Sequence, residues 1–176
     1  MYQKSPMGNQ SKADRPRIRP EKEPIDFLLE YAGLFGLVVL LVLTAMKYKD
    51  LPDTIPTHFN AAGRPDGFGP KIMIWLLPVI TVVIYTGLSI LNRFPYIFNF
   101  PVNITGENAL RLYRFATRSI RVLNFLLTIT FLYLTWESIN AASGKSPGLG
   151  AWFLPVMVVV IMGFLIYMIV RMYKLK

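Results

Sequence analysis

Residues 151–170 read AWFLPVMVVVIMGFLIYMIV, twenty positions without a charged side chain. Residues 72–91, IMIWLLPVITVVIYTGLSIL, form a second uncharged block of the same length. About 20 apolar residues in a helix, at 1.5 Å per residue, match the ~30 Å hydrocarbon layer of a bilayer. Both blocks therefore predict membrane-spanning helices, and this decides the fold class.

Two further blocks complete a set of four predicted spans. The block at about 25–46 begins after Pro24 and carries Asp26 and Glu30 in its first two turns, where acidic residues suit a helix start. The block at about 120–138 is weaker, because its uncharged part is only residues 122–136. It can span if Arg118 and Arg121 extend to the headgroups.

The composition agrees with a membrane protein and excludes several function classes. Hydrophobic residues make up 53% of the chain and charged residues 16%, against about a quarter charged in soluble domains. The net charge of +9 does not indicate nucleic acid, since the basic residues flank the apolar blocks and no nucleic-acid module is evident. The absence of cysteine excludes disulfides and thiolate chemistry.

The distribution of lysine and arginine predicts the orientation. Residues 1–24, the 92–121 region and the C-terminus hold fourteen of them, and the two remaining loops hold five. The positive-inside rule then places both termini in the cytoplasm. We therefore expect an all-α membrane protein. Its residues 1–24 form a flexible basic tail without a cleavable signal peptide. Residues 25–176 form a four-helix membrane domain, with a cytoplasmic loop at 92–119 and an outer cap at 47–71.

The cap has the most distinctive sequence, LPDTIPTHFNAAGRPDGFGPK at residues 51–71. Residues 57–60 suit a short strand, residues 61–63 a turn with Gly63 at positive φ, and residues 65–67 a second turn. This predicts a compact, turn-rich cap, compatible with a β-hairpin, on the outer ends of the helices. Asp66 and Lys71 are candidates for an ion pair within it.

The order I-P-x-H-F-N-x-x-G-x-x-D-G-F-G-x-K in the cap resembles the signature of the SdpI-like family, whose matching part is an N-terminal domain of unknown function. A looser echo lies in residues 107–121, so the resemblance covers about 25–121. It implies a multi-pass protein of the bacterial cytoplasmic membrane that protects against a secreted toxic peptide. The cap residues it marks as binding or structural are Pro56, His58, Asn60, Gly63, Asp66, Gly67 and Lys71.

Metal binding and catalysis are weaker interpretations of the same loop. His58 and Asp66, with Asp53 and Asn60, offer nitrogen and oxygen ligands to zinc or manganese. However, there is one histidine, no cysteine and no recognised metal spacing, so turn-capping roles are favoured and no cofactor is expected. Since no nucleophile elbow, HExxH or phosphate loop is present, we expect no enzyme activity.

A row of basic residues precedes the third span. Its members step by three, four and three positions and so share one helix face: Arg111, Arg114, Arg118 and Arg121. Anchoring on anionic lipid is the favoured interpretation, with partner docking as the alternative and a voltage sensor disfavoured by the charge distribution.

The sequence thus predicts a non-catalytic protein that resembles toxin-immunity or envelope-stress proteins, with the bilayer and a secreted peptide as partners. An accessory subunit of a larger membrane complex is the alternative. A small transporter is less favoured, because ionisable residues lie at the helix ends and not at mid-membrane.

Overall fold

The computed structural model describes residues 12–176, which form four long helices and a two-stranded hairpin. The helices are α1 (Pro24–Tyr48), α2 (Leu76–Leu91), α3 (Ala109–Ala142) and α4 (Phe153–Lys174). The strands β1 (Thr54–Phe59) and β2 (Pro65–Pro70) lie between α1 and α2, and a 3₁₀ turn, Lys71–Trp75, leads into α2. Single 3₁₀ turns also occur at Lys12–Asp14 and Pro95–Ile97.

Helices α1, α3 and α4, and α2 taken together with the 3₁₀ turn before it (Lys71–Leu91, 21 residues), are long and apolar enough to cross a bilayer, which indicates a multi-pass membrane protein. Their outer surfaces are covered by large apolar side chains that water would not tolerate: Phe35 is 71% exposed, Val83 66% and Val159 70%. Such patches are far larger than soluble monomers show. The predicted four-helix membrane architecture and the small hairpin are therefore both present.

Successive helices run in opposite directions, so the molecule has two ends. One end carries the hairpin and the α3–α4 loop, which we call the cap end. The other carries the start of α1, the α2–α3 connection and the end of α4, which we call the arginine end. Helices α1 and α3 both run from the arginine end to the cap end and make the most extensive interhelical contact.

The interior combines two apolar clusters with small and hydroxylated residues between them. At the arginine end, Leu112 and Tyr113 are fully buried in a cluster that includes Met172 of α4. At the cap end, Ile55 of the hairpin packs with Ile139 of α3. In the middle, Gly36 brings α1 close to Thr128 of α3, as small residues do in membrane helix pairs.

Helix α3 is much longer than the predicted span 120–138. It contains 34 residues and begins at Ala109, so the α2–α3 connection is 92–108 and not 92–119. Its start is fixed by Asn108, whose Oδ1 accepts a hydrogen bond from the N–H of Thr105 at 2.8 Å. The row of basic residues, which their spacing places on one helix face, therefore lies in the first third of this helix.

The structure describes the predicted flexible tail from residue 12 onward, and this part contacts the α2–α3 connection. Three arginines lie over three rings of the α2–α3 connection, at 5.6–5.8 Å from each ring centroid: Arg15 on Phe100, Arg17 on Tyr96 and Arg19 on Phe94. Arg15 also donates to the carbonyl oxygen of Phe98 at 2.7 Å. Cation–π contacts thus fix this segment along the connection. Residues 1–11 of the predicted tail lie outside the described residues.

Candidate functional site

The hairpin is the first candidate site, and its register places the motif residues on two paired strands. β1 and β2 are antiparallel, with Thr54 opposite Pro70 and His58 opposite Gly67. Of the predicted strand at 57–60, residues 57–59 lie in β1, which begins earlier, and Asn60 lies in the reversal. The predicted turn at 65–67 is wrong, since these residues begin β2 and the chain reverses at 60–64.

Asn60 and Gly63 form that reversal. The side-chain oxygen of Asn60 accepts hydrogen bonds from the N–H groups of Ala62 at 2.9 Å and Arg64 at 3.1 Å. The N–H of Gly63 donates to the backbone oxygen of Asn60 at 2.8 Å. Gly63 has φ +72°, which confirms the prediction of a positive φ. Glycine suits this position because, without a Cβ, it adopts positive φ at little cost.

Gly63 also joins the hairpin to the α3–α4 loop. Its carbonyl oxygen accepts a hydrogen bond from the N–H of Leu149 at 2.8 Å. A Cβ at position 63 would collide with the backbone of Gly150, and one at Gly148 would collide with the backbone of Gly63. The two loops can approach this closely only because glycines face each other. The hairpin is therefore a fixed cap and not a free loop.

His58 and Asp66 form the exposed polar centre of the cap. His58 Nδ1 lies 2.5 Å from Asp66 Oδ1, and the two side chains are 71% and 42% exposed. Gly67 lies opposite His58, and a Cβ there would be 2.9 Å from the Cβ of His58. The pair is thus formed across the hairpin, where a glycine leaves room for the imidazole.

The remaining cap residues have structural positions. Pro56 is buried in β1. Lys71 Nζ lies 3.0 Å from Asp53 Oδ1, so the predicted Asp66–Lys71 ion pair is wrong: each residue has a different partner. The four weak metal candidates do not form one ligand set, and within residues 12–176 no three His, Cys, Asp or Glu side chains are grouped to hold a metal ion.

The second candidate site is the basic row of α3, and its contacts differ from the lipid-facing interpretation. Arg118 donates to Asp26 Oδ1 at 3.0 Å and Oδ2 at 3.1 Å, and to Glu23 at 2.7 Å. Arg121, with a side chain only 9% exposed, donates to Glu30 at 2.8 Å. Arg114 is 3.5 Å from Glu23. Three of the four arginines therefore contact carboxylates of α1 or of Glu23, the residue directly before it.

Arg111 is the exception in that row. Its guanidinium is exposed and has no ion-pair or hydrogen-bond partner in the described part of the chain. Arg111 and Arg114 are both exposed, so anchoring on lipid headgroups or docking of a partner at this row stays a prediction.

Sequence reasoning missed the acidic partners as site residues. Glu23, Asp26 and Glu30 step by three and four positions along α1, which places them on one face. The arginines 114, 118 and 121 step by four and three, so two complementary charged faces were visible in the sequence. Asp26 is 2% exposed, and this burial makes the network a structural joint between α1 and α3.

Comparison with known proteins gives a family match but no assigned activity. Residues 35–82, from mid-α1 through the hairpin into α2, match a family described as Domain of unknown function (DUF1648). The chain is also 28% identical over 130 residues to an uncharacterized protein of Archaeoglobus fulgidus, covering 65% of this chain and 71% of that protein. No solved structure matches it. The matched segment contains every cap residue named above.

Proposed function

We propose that the protein is a non-catalytic membrane protein whose cap is an external binding surface for a secreted, membrane-active peptide. The observation that carries the proposal is the anchored hairpin: its backbone is bonded to the α3–α4 loop, while His58, Asp66 and Phe68 face outward. Phe68 is 62% exposed. An aromatic ring beside a polar pair on a rigid support suits recognition of an amphipathic chain.

The proposed orientation is the one that the charge distribution predicts, with the cap outside and the arginine end in the cytoplasm of a bacterial cell. The resemblance of the cap motif to the SdpI-like family supports an immunity or envelope-stress role. The contact between the hairpin and the α3–α4 loop supports one continuous surface outside the membrane.

Cysteine labelling tests the orientation, because the natural chain contains no cysteine. Ala61→Cys, on the exposed hairpin turn, should react with a membrane-impermeant maleimide in intact cells. Glu107→Cys, exposed at the arginine end, should react only after permeabilisation and serves as the matched control. The reverse labelling pattern would overturn the orientation and with it the external binding surface.

Peptide challenge tests the function itself. Bacteria expressing the protein should survive a secreted membrane-active peptide better than cells without it. Asp66→Ala with Phe68→Ala should abolish this protection, whereas Thr54→Ala, an exposed change on β1 away from the His58–Asp66 contact, should preserve it. Equal survival with and without the protein, over a panel of such peptides, would contradict the proposal.

An accessory subunit of a larger membrane complex is the second candidate, and α4 favours it. Met172 is the one buried residue of this helix, and α4 makes few contacts with the other helices. An apolar helix with so little internal packing offers a long surface to another membrane protein. Purification in mild detergent discriminates the two: a subunit co-purifies with defined partners, and a protein that runs alone does not fit this candidate.

A further inference from the structure

A pocket of about 500 Å³ opens between α1, α2 and α3 at the arginine end. One part of its wall is apolar and comes from Leu29 and Leu34 of α1 and Leu88 of α2. The other part is polar and includes Asn92 and Asn124. Because helix ends in a membrane protein lie near the headgroup layer, this combination fits a molecule with a polar head and an apolar chain.

The charge at the mouth of the pocket is strongly positive. Four cationic side chains line it against one carboxylate, that of Glu30. Lys22 and Arg121 are both bonded to this carboxylate, at 2.6 and 2.8 Å. Arg19 and Arg93 have no carboxylate partner among residues 12–176. Two guanidiniums are therefore free to bind an anion, and guanidinium binds phosphate well.

Arg19 is held in position for this role. Its guanidinium lies over the ring of Phe94 at 5.7 Å, the last of the three arginine–aromatic contacts of the N-terminal segment. Arg93 directly precedes Phe94 in the chain. The contact thus holds Arg19 against the segment that also carries Arg93, and both residues line the pocket. Pre-positioning lowers the entropy that a ligand would otherwise have to overcome.

Asn92 supplies a second, independent signal. Its Nδ2 donates to the carbonyl oxygen of Thr117 at 3.0 Å, but its Oδ1 is buried without a hydrogen-bond donor in the described residues. A buried acceptor that lacks a partner is costly, by about 1–3 kcal/mol in proteins generally. A ligand hydroxyl beside the phosphate would complete this group once the amide of Asn92, which lines the pocket, turns toward it.

We propose that the pocket binds a phosphate group carried on glycerol, in the form that anionic phospholipids such as phosphatidylglycerol present. The phosphate lies between Arg19 and Arg93, a glycerol hydroxyl donates to Asn92 Oδ1, and the acyl chains leave along Leu34 and Tyr31, both open to the bilayer. This site is independent of the proposed peptide binding at the cap, which lies at the opposite end of the bundle.

Native mass spectrometry of the full chain in detergent tests the proposal with phosphatidylglycerol and phosphatidylcholine of identical acyl composition. We expect phosphatidylglycerol to bind with a clear preference. The double variant Arg19→Gln, Arg93→Gln should lower the affinity for phosphatidylglycerol roughly 20- to 30-fold. Each basic residue contributes about 1 kcal/mol of binding free energy, and each 1.4 kcal/mol changes the affinity tenfold. Leu34→Trp, which fills the pocket without changing charge, should also reduce binding.

Arg111→Gln is the matched control, since it removes the same charge from the same end but outside the pocket. It should change the affinity less than about twofold. An equal loss in Arg111→Gln and in the double variant would overturn the proposal, because it would show general attraction to a basic surface. Equal binding of the two lipids would overturn it as well.

Competition identifies the source of the phosphate group. Millimolar inorganic phosphate or glycerol phosphate that displaces the lipid would support the phosphate site and assign it to a soluble ligand. Failure of both to compete, with the lipid preference intact, would support the phospholipid as the ligand.

Discussion

Removal of the Asp26 carboxylate should loosen the joint between α1 and α3. Asp26 is 2% exposed, accepts two hydrogen bonds from Arg118 at 3.0 and 3.1 Å, and accepts the N–H of Glu23 at 2.9 Å. Hydrogen bonds to charged groups contribute about 1.5–3 kcal/mol, and the capping contact about 1 kcal/mol. With the two-pronged Arg118 contact counted once and the capping contact added, Asp26→Ala should lower the free energy of unfolding by about 2.5–4 kcal/mol.

The neighbours of Asp26 limit that loss. After the substitution, Arg118 still has Glu23 at 2.7 Å and Arg121 still has Glu30 at 2.8 Å. Neither arginine is left without a carboxylate, so the loss should not exceed this range. A double-mutant cycle with Arg118→Ala should give a coupling energy of about 1–3 kcal/mol.

Reversible unfolding in mixed micelles of a mild detergent and dodecyl sulfate provides the measurement, followed by circular dichroism. Arg111→Ala is the control on the same helix face and should change stability by less than about 0.5 kcal/mol. The coupling should persist at high salt, since buried pairs are poorly screened. A coupling energy near zero, or a loss in Arg111→Ala equal to that in Asp26→Ala, would refute the reasoning.

Three smaller changes test other contacts by the same unfolding measurement. Gly63→Ala should lower the free energy of unfolding by about 2–4 kcal/mol, because a Cβ here combines a positive φ with a collision against Gly150. Gly144→Ala is the control: it has φ +69° but open space around it, and should cost only about 1–2 kcal/mol. Equal losses would contradict the close approach of the two loops. Tyr85→Phe should cost about 1 kcal/mol, since it removes a 2.8 Å hydrogen bond to a carbonyl oxygen of α1, and no loss would show that the bond does not form. Asp53→Asn should change stability by less than about 1 kcal/mol, because this carboxylate is 96% exposed, and a larger loss would contradict a surface ion pair.

The membrane helices were predictable because crossing the hydrocarbon layer requires one simple property, an uncharged segment of about 20 residues. Residues 72–91 and 151–170 carry it without interruption, and α2 and α4 lie there. Helix α3 was harder, since its first third carries arginines and is not an uncharged stretch, although their spacing indicates one helix face. The partners of Arg118 and Arg121, acidic side chains about 90 positions away in the chain, were not evident from the local sequence.

The cap was predictable only in part. The need for positive φ at Gly63 is local, and the sequence around it reveals a turn. The register of the hairpin is not local, so Pro65-Asp66-Gly67 was interpreted as a turn although these residues pair with β1. The partner of Lys71 followed the register, and the ion-pair prediction was wrong for the same reason.

The arginine-end pocket could not be predicted from the sequence. It depends on how α1, α2 and α3 diverge, and on the N-terminal segment turning back over the α2–α3 connection. A polar, basic leader normally indicates a solvated tail. Here alternate arginines match aromatic residues, a pattern that becomes meaningful only once the two segments are known to be neighbours.

The ion pairs between α1 and α3 also constrain how the protein is made. The carboxylates of α1 precede their arginines by 91–95 residues, which a ribosome adding about 5–20 residues per second needs roughly 5–20 s to synthesise. During that interval the first two helices have been translated, while Glu30 has only Lys22 as a counter-charge and Glu23 and Asp26 lack the arginines that they bind in the folded protein. Stable docking of the first helix must therefore wait for the third to emerge, so a nascent chain arrested before residue 114 should remain exposed to membrane quality control.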